Sequence, residues 1–339
     1  MRVRDIGSLF YQTYLEWTED MAPRLSAALA FYTIFSLAPV LMILVAIAGL
    51  VFGQDAAAGR LTGVMSEYVG QQSAEALQGI VAASAQKESS LWTTIIGVVT
   101  ILIGATGVFA ELQSSLNTIW EVTPRPDRGY LGLLKDRFSS FLMILGIGVV
   151  MLLSVAASTV ISLLSEWFGD ALPGGKAVWQ GGNIAASLAI LALAFALLFK
   201  YVPDVEITWG DVAVGALFTA VLFTIGKALI GWYLGSSSIA STYGAAGSVI
   251  LFIVWIYYSA LILFFGAEFT QVYANRFGSK VVAEPDAVPV TEEQRAQQGM
   301  PRREGIARAA QRSTSAEQEA KQAPPPKPQP HPGATPTEK

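Results

Sequence analysis

The chain contains no cysteine, which excludes disulfides, thiolate nucleophiles and every zinc site built on sulfur. It contains one histidine, His331, in the segment APPPKPQPHPG, so neither a histidine-based triad nor a histidine metal cluster can be assembled in a folded part. His331 reads as a linker residue. Charge is scarce too: Asp, Glu, Lys and Arg make up 14% of the 339 residues against 53% apolar ones, outside the range of an ordinary soluble domain. The net charge of −4 says little about partners, because basic and acidic residues are sorted by segment rather than mixed.

What fills the chain instead is a series of six apolar stretches, at approximately 25–52, 91–117, 139–165, 184–202, 211–234 and 247–273. Stretches of about twenty residues or more are far longer than a barrel strand needs. Lipid-exposed backbone must also satisfy its own hydrogen bonds, so helices are the expected solution. The expected fold class is therefore all-α: a polytopic membrane protein with six transmembrane helices and amphipathic interfacial helices. Pro39 should kink the first span rather than end it.

Basic residues orient the spans. Arg125, Arg128, Lys135 and Arg137 separate spans two and three, Arg2, Arg4 and Arg24 precede span one, and Lys200, Arg276 and Lys280 fall on the same side. The segment 53–90 is net acidic, with Arg60 and Lys87 against Asp55, Glu67, Glu75 and Glu88. Both termini are expected in the cytoplasm, with an inner membrane crossed several times.

Three further segments flank or interrupt the spans. Residues 1–24 carry four acidic residues and no continuous apolar core, so no cleavable leader is expected. Ile6, Phe10, Tyr14 and Trp17 recur at helical spacing there. That pattern predicts an amphipathic helix on the cytoplasmic side, either lying on the membrane or packed under the bundle. Residues 53–90 keep a helical period at Leu61, Val64, Met65, Tyr68 and Val69, and predict short outer-face helices, as a roof over a cavity or a cap over the bundle. The membrane domain is expected over 25–280. From 281 to 339 the chain holds ten of its sixteen prolines and eight Lys or Arg against eight Asp or Glu, so a disordered polar tail is expected. Its TEEQRAQQ portion would form helix only in part.

Ionisable and amide groups inside apolar spans are the sharpest functional clues, since lipid penalises them unless a cavity or partner receives them. Lys227, about sixteen residues into span five, would attract an anionic group or else snorkel outward. Glu268, after the Gly266-Ala267 pair in span six, would titrate during coupling or pair with Arg24 or Arg276. Glu111, Gln113 and Asn117 form an expected polar stripe at the cytoplasmic end of span two. Arg24 is the most economical partner for one of the carboxylates.

The segments AALAFYTIFSLAPVL (27–41), LNTIW (116–120), YVPDVEITWGDVAVGALFTAVLF (201–223) and YGAAGSVILFIVWIYYSALILFFGAE (243–268) resemble the YihY/BrkB family of bacterial inner-membrane proteins, once named ribonuclease BN. The resemblance spans nearly the whole membrane region and implies a six-helix bundle with cytoplasmic termini and a transport or envelope-maintenance role. It carries over no catalytic residues. A nuclease is excluded on physical grounds, because carboxylates are scattered among separate helices and no basic, aromatic RNA groove exists.

The expected function is transport or flipping of an anionic amphiphile, a lipid-related molecule such as phospholipid, or a small solute, with no enzyme activity, no cofactor, no metal and no nucleic-acid partner. The alternative is a non-catalytic membrane scaffold or envelope-maintenance protein that contacts envelope proteins. Oligomeric state is left open by the sequence.

Overall fold

The computed structural model describes residues 3–34, 36, 107–125, 146, 175–236 and 245–302. The Pro39 kink, the outer-face helices of 53–90, the third span and the tail beyond 302 lie outside the described residues. Two units are distinguished, Met1–Val290 and Thr291–Lys339.

In the first unit, α1 (Val3–Glu19) is followed by a turn at Asp20 and Met21 and then by α2 (22–34). Next come α3 (107–119), β1 (Val122–Pro124), α4 (Gly175–Tyr201), β2 (Val205–Glu206), α5 (Trp209–Ser236), α6 (Ala245–Phe277), β3 (Val282–Ala283) and β4 (Ala287–Pro289). Among the described residues, three segments are long and apolar enough to cross a membrane: Ile184–Tyr201, Trp209–Tyr233 and Ile250–Phe277. They match the fourth, fifth and sixth expected spans.

Helices in lipid gain no hydrophobic energy by touching one another, so they associate where small residues let backbones approach. The α5–α6 seam does this with two matched motifs. Residues 215–219 read GALFT and residues 266–270 read GAEFT. The two run antiparallel: a Cβ on Gly215 would collide with the Thr270 side chain, and one on Gly266 with the Thr219 side chain. Each threonine hydroxyl donates back to the carbonyl of its own motif glycine, Thr219 to Gly215 at 2.7 Å and Thr270 to Gly266 at 2.6 Å. That leaves no polar hydrogen facing the neighbouring helix. Phe218 and Phe269 stack across the seam with centroids 4.0 Å apart. The pair is thus related by a local two-fold.

The opposite side of α5 is bare. Val214, Leu217, Val221, Ile225, Leu229 and Trp232 fall on one arc of the helix and are all exposed. Trp209, edge-on to Tyr201 at 6.0 Å, marks one end of this stripe, and Trp232 with Tyr233 marks the other. The ends are roughly 34 Å apart at 1.5 Å per residue, against ~30 Å of hydrocarbon with interfacial aromatics at each edge. That is the surface of a lipid-facing helix.

The buried core is formed jointly by α2 (Ala22, Leu29), α3 (Phe109, Leu116, Ile119, Trp120), α4 (Phe195, Phe199), α5 (Val212, Ala216, Ala220) and α6 (Phe264, Ala267, Ala274). The N-terminal helix packs on the bundle through Leu9, which clusters with Phe269 and Val272, and through Trp17, edge-on to Phe265 at 6.3 Å.

The described residues are mostly helical, with four short strands among them. Residues 281–290, expected within the disordered tail, instead carry two of those strands. After α6, Lys280 takes a left-handed φ of 65° and its N–H donates to Ala274 O at 3.2 Å, turning the chain back along the bundle. β3 then pairs antiparallel with β2, and β4 with β1. Residues 281–290 form a strap that joins the α3 exit to the α4–α5 connection. The strands supply backbone partners that a Pro-containing polar stretch cannot supply within itself. In the second unit, Thr291 caps α7 (Glu292–Gln297) with a full capping box closed by Gln294.

Candidate functional site

The described polar residues concentrate at one end of the bundle, where α3, α4 and α6 end and α5 begins. At its centre is Asp204, buried in the α4–α5 connection. Asn117 donates from Nδ2 to Asp204 Oδ2 at 2.9 Å and accepts the Asp204 N–H on its own Oδ1 at 2.8 Å. Gln113 donates to Asp204 Oδ1 at 3.2 Å. Four residues apart on α3, the two amides share one face and together grip the carboxylate. The strap closes over it, with Glu284 N–H donating to Asp204 O at 3.1 Å.

Gln113 and Asn117 therefore act as a clamp on Asp204. The expected stripe with Glu111 is divided, since helical rotation puts Glu111 on the other side of α3, half-buried. Replacing Asp204 with alanine strands the buried Asn117 amide and frees the half-buried Gln113 amide to water. An unfolding free energy lower by about 1–3 kcal/mol is expected, the cost of one buried group left unsatisfied. Thermal melts of solubilised protein would check this, with Asp204→Asn giving the smaller loss.

A second junction ties α5 to the end of α6. Ser279 donates to Asp211 Oδ2 from both its backbone N–H at 2.9 Å and its hydroxyl at 2.7 Å, and Thr208 adds a third donor at 2.8 Å. A side chain at Gly278 would collide with that carboxylate, so glycine is required by the close approach. Lys200, the basic residue ending α4, donates to the Ile207 carbonyl at 2.6 Å.

Glu268 and Lys227 lie deeper in the apolar helices. Glu268 is fully buried on the face of α6 that also carries Gln271, away from the α5 seam. Gln271 donates to Glu121 Oε1 at 3.4 Å, at the end of α3. Arg24 and Arg276, the expected partners of Glu268, are both exposed and engaged elsewhere: Arg24 reaches Met21 Sδ at 3.6 Å, and Arg276 lies over the Phe277 ring at 5.3 Å. Lys227 is half-buried on α5, beside Gly226, which packs against Ile262 and Tyr258. The Gly215–Thr270 and Thr219–Gly266 pairings put Glu268 level with residue 217. Lys227 is thus farther along the bundle by roughly 15 Å at 1.5 Å per residue. The structure brings Gln113 and Asn117 together and leaves Glu111, Arg24, Lys227 and Glu268 in separate places.

Asp204 as the receiver of both amides was missed from sequence. Its partners are 87 and 91 residues away, and only the adjacent Pro203 flags the break. The GALFT and GAEFT repetition was readable and would have paired α5 with α6.

Long apolar helices, a lipid-facing stripe and aromatic edges define an α-helical membrane protein. Residues 13–291 match the family model described as virulence factor BrkB, and the chain belongs to that family. This bears out the resemblance read from the motifs. A UPF0761 membrane protein of Pseudomonas paraeruginosa is 30% identical over 251 residues, covering 73% of this chain and 58% of the relative. One of Azotobacter vinelandii is 30% identical over 278 residues, covering 79% and 64%. One of Methylibium petroleiphilum is 28% identical over 276 residues, covering 79% and 62%. The chain thus spans about three fifths of the length of these relatives. No solved structure matches.

Proposed function

We propose that this chain is a multi-pass transporter or flippase of the bacterial inner membrane, with six spans and cytoplasmic termini, that moves an anionic amphiphile or small anionic solute without covalent catalysis or a cofactor. The observation that carries the proposal is the complete burial of Glu268 within the last apolar helix. An ionisable group at that depth is expensive and is kept where it serves a pathway. Lys227 supplies the complementary charge farther along α5, where a phosphate or carboxylate headgroup would be drawn from the near end toward the far one. Gln113, Asn117 and Asp204 brace the near end and do not contact the cargo.

Lys227→Gln, in protein verified as folded, tests the cationic half of this reading. Vesicles holding the purified protein and fluorescent phosphatidylglycerol or phosphatidylcholine would be assayed for transbilayer movement. The variant is expected to slow the anionic lipid by at least about tenfold, equivalent to ~1.4 kcal/mol, and to erase the preference over the zwitterionic one. An unchanged preference removes Lys227 from the mechanism.

A further inference from the structure

The N-terminal helix divides into three faces. Leu9 and Thr13 are buried against the bundle. Asp5, Glu16 and Glu19 occupy one flank. On the other flank Ile6, Phe10, Tyr11 and Tyr14, at 41–66% exposure, share an arc of roughly 140° with the half-buried Trp17. A cluster of four exposed large apolar or aromatic side chains on one short helix needs a partner.

We propose that this aromatic arc is a membrane-contacting surface whose partner is the lipid bilayer, so that α1 is embedded in the leaflet beside the bundle. The argument is continuity with the lipid-facing stripe of α5. Phe10 packs edge-on against Phe218 at 5.5 Å and against Phe269 at 5.7 Å. Phe218 follows Leu217 of that stripe and borders it on the α5 surface, so the exposed side chains of the two helices form one uninterrupted apolar face. Its composition also fits lipid: tyrosine and tryptophan rings prefer the boundary between acyl chains and headgroups, where an apolar body and a polar tip are both satisfied. The carboxylates on the opposite flank argue against a merely electrostatic attachment to anionic headgroups. This surface does not depend on the transport reading.

The absence of native cysteine makes the test direct, because a single introduced cysteine labels uniquely. Spin labels at Tyr11→Cys and Tyr14→Cys would be compared in nanodiscs with Leu229→Cys on the α5 stripe and Gln297→Cys on exposed α7. Collision with oxygen, which partitions into lipid, and with a water-soluble nickel chelate would be read at each site. If a tyrosine replacement fails to fold, Gly7→Cys replaces it, since open space surrounds Gly7 on the same arc. The labels on α1 are expected to match Leu229→Cys, with high oxygen and low nickel accessibility. Nickel accessibility like that of Gln297→Cys would overturn the proposal in favour of a solvent-exposed helix. Immobilised labels shielded from both reagents would overturn it in favour of a protein partner, either a second copy or another segment of this chain.

Discussion

Replacing Gly266 with valine is expected to push α5 and α6 apart and lower stability by at least about 2–3 kcal/mol, the upper range for forcing bulk into a packed interface. The Thr219 side chain occupies the space that even a Cβ at 266 would need, and the local two-fold repeats the arrangement at Gly215 and Thr270. Threonine at 219 cannot swing aside at low cost, because its hydroxyl is held on the Gly215 carbonyl at 2.7 Å. Hence Gly266→Ala should already be damaging, and a second change, Thr219→Gly, should recover part of the loss. Coupling of about 1–2 kcal/mol in a double-mutant cycle would be the signature of direct contact. Gly231→Ala is the control, since nothing lies within 4 Å of a Cβ there and helix propensity alone would favour alanine. Thermal or denaturant melts in detergent read each of these variants, with Thr219→Gly alone completing the cycle. Equal losses at 231 and 266 would remove the seam from the account.

Glu268→Leu carries the second large expectation: flux falls to background in protein that remains folded. The local two-fold supplies the comparison, because Leu217 occupies in GALFT the place that Glu268 occupies in GAEFT. Replacing a whole buried ion pair by apolar side chains of similar volume is often neutral or stabilising by about 1–4 kcal/mol, whereas removing one member of a buried pair that braces the fold costs about 3–5 kcal/mol. The sign of the change therefore separates the two roles. A melt at or above the wild-type temperature with lost flux supports a carboxylate retained for function. A drop of several kcal/mol would assign Glu268 to bracing and move the weight to the scaffold alternative.

How far the sequence carried these conclusions depended on the range of the interactions involved. Spans four to six were legible because a stretch of about twenty apolar residues has one economical solution in lipid. The helical character of α1 followed from the spacing of Ile6, Phe10, Tyr14 and Trp17. Its choice between floating and packing did not, since Phe10 meets Phe218 and Phe269 only after the bundle assembles. The strap was misread as tail because two- and three-residue strands such as Val282–Ala283 and Ala287–Pro289 carry no period of their own. Their partners are Val205–Glu206 and Val122–Pro124, far away in the chain. The same non-locality concealed the Asp204 clamp. Gln113 and Asn117 were legible as polar neighbours on one helix, and the carboxylate they grip was not. The pairing of Arg24 or Arg276 with Glu268 failed for a simpler reason: both arginines have shorter routes to solvent and to local partners, Met21 and the Phe277 ring. Intramembrane carboxylates are conspicuous in a sequence, but the position of a neighbouring charge is set by helix rotation, which hydropathy does not report.

The most direct test of transport is the rate at which fluorescent phosphatidylglycerol crosses vesicles containing wild-type protein, measured beside empty vesicles and vesicles with Glu268→Gln, which keeps the side-chain shape and removes the charge. The account predicts wild-type movement well above the empty vesicles and a loss of at least about tenfold in the variant, equivalent to ~1.4 kcal/mol on the barrier. Wild-type movement no faster than empty vesicles, or a variant equal to the wild type, would contradict it.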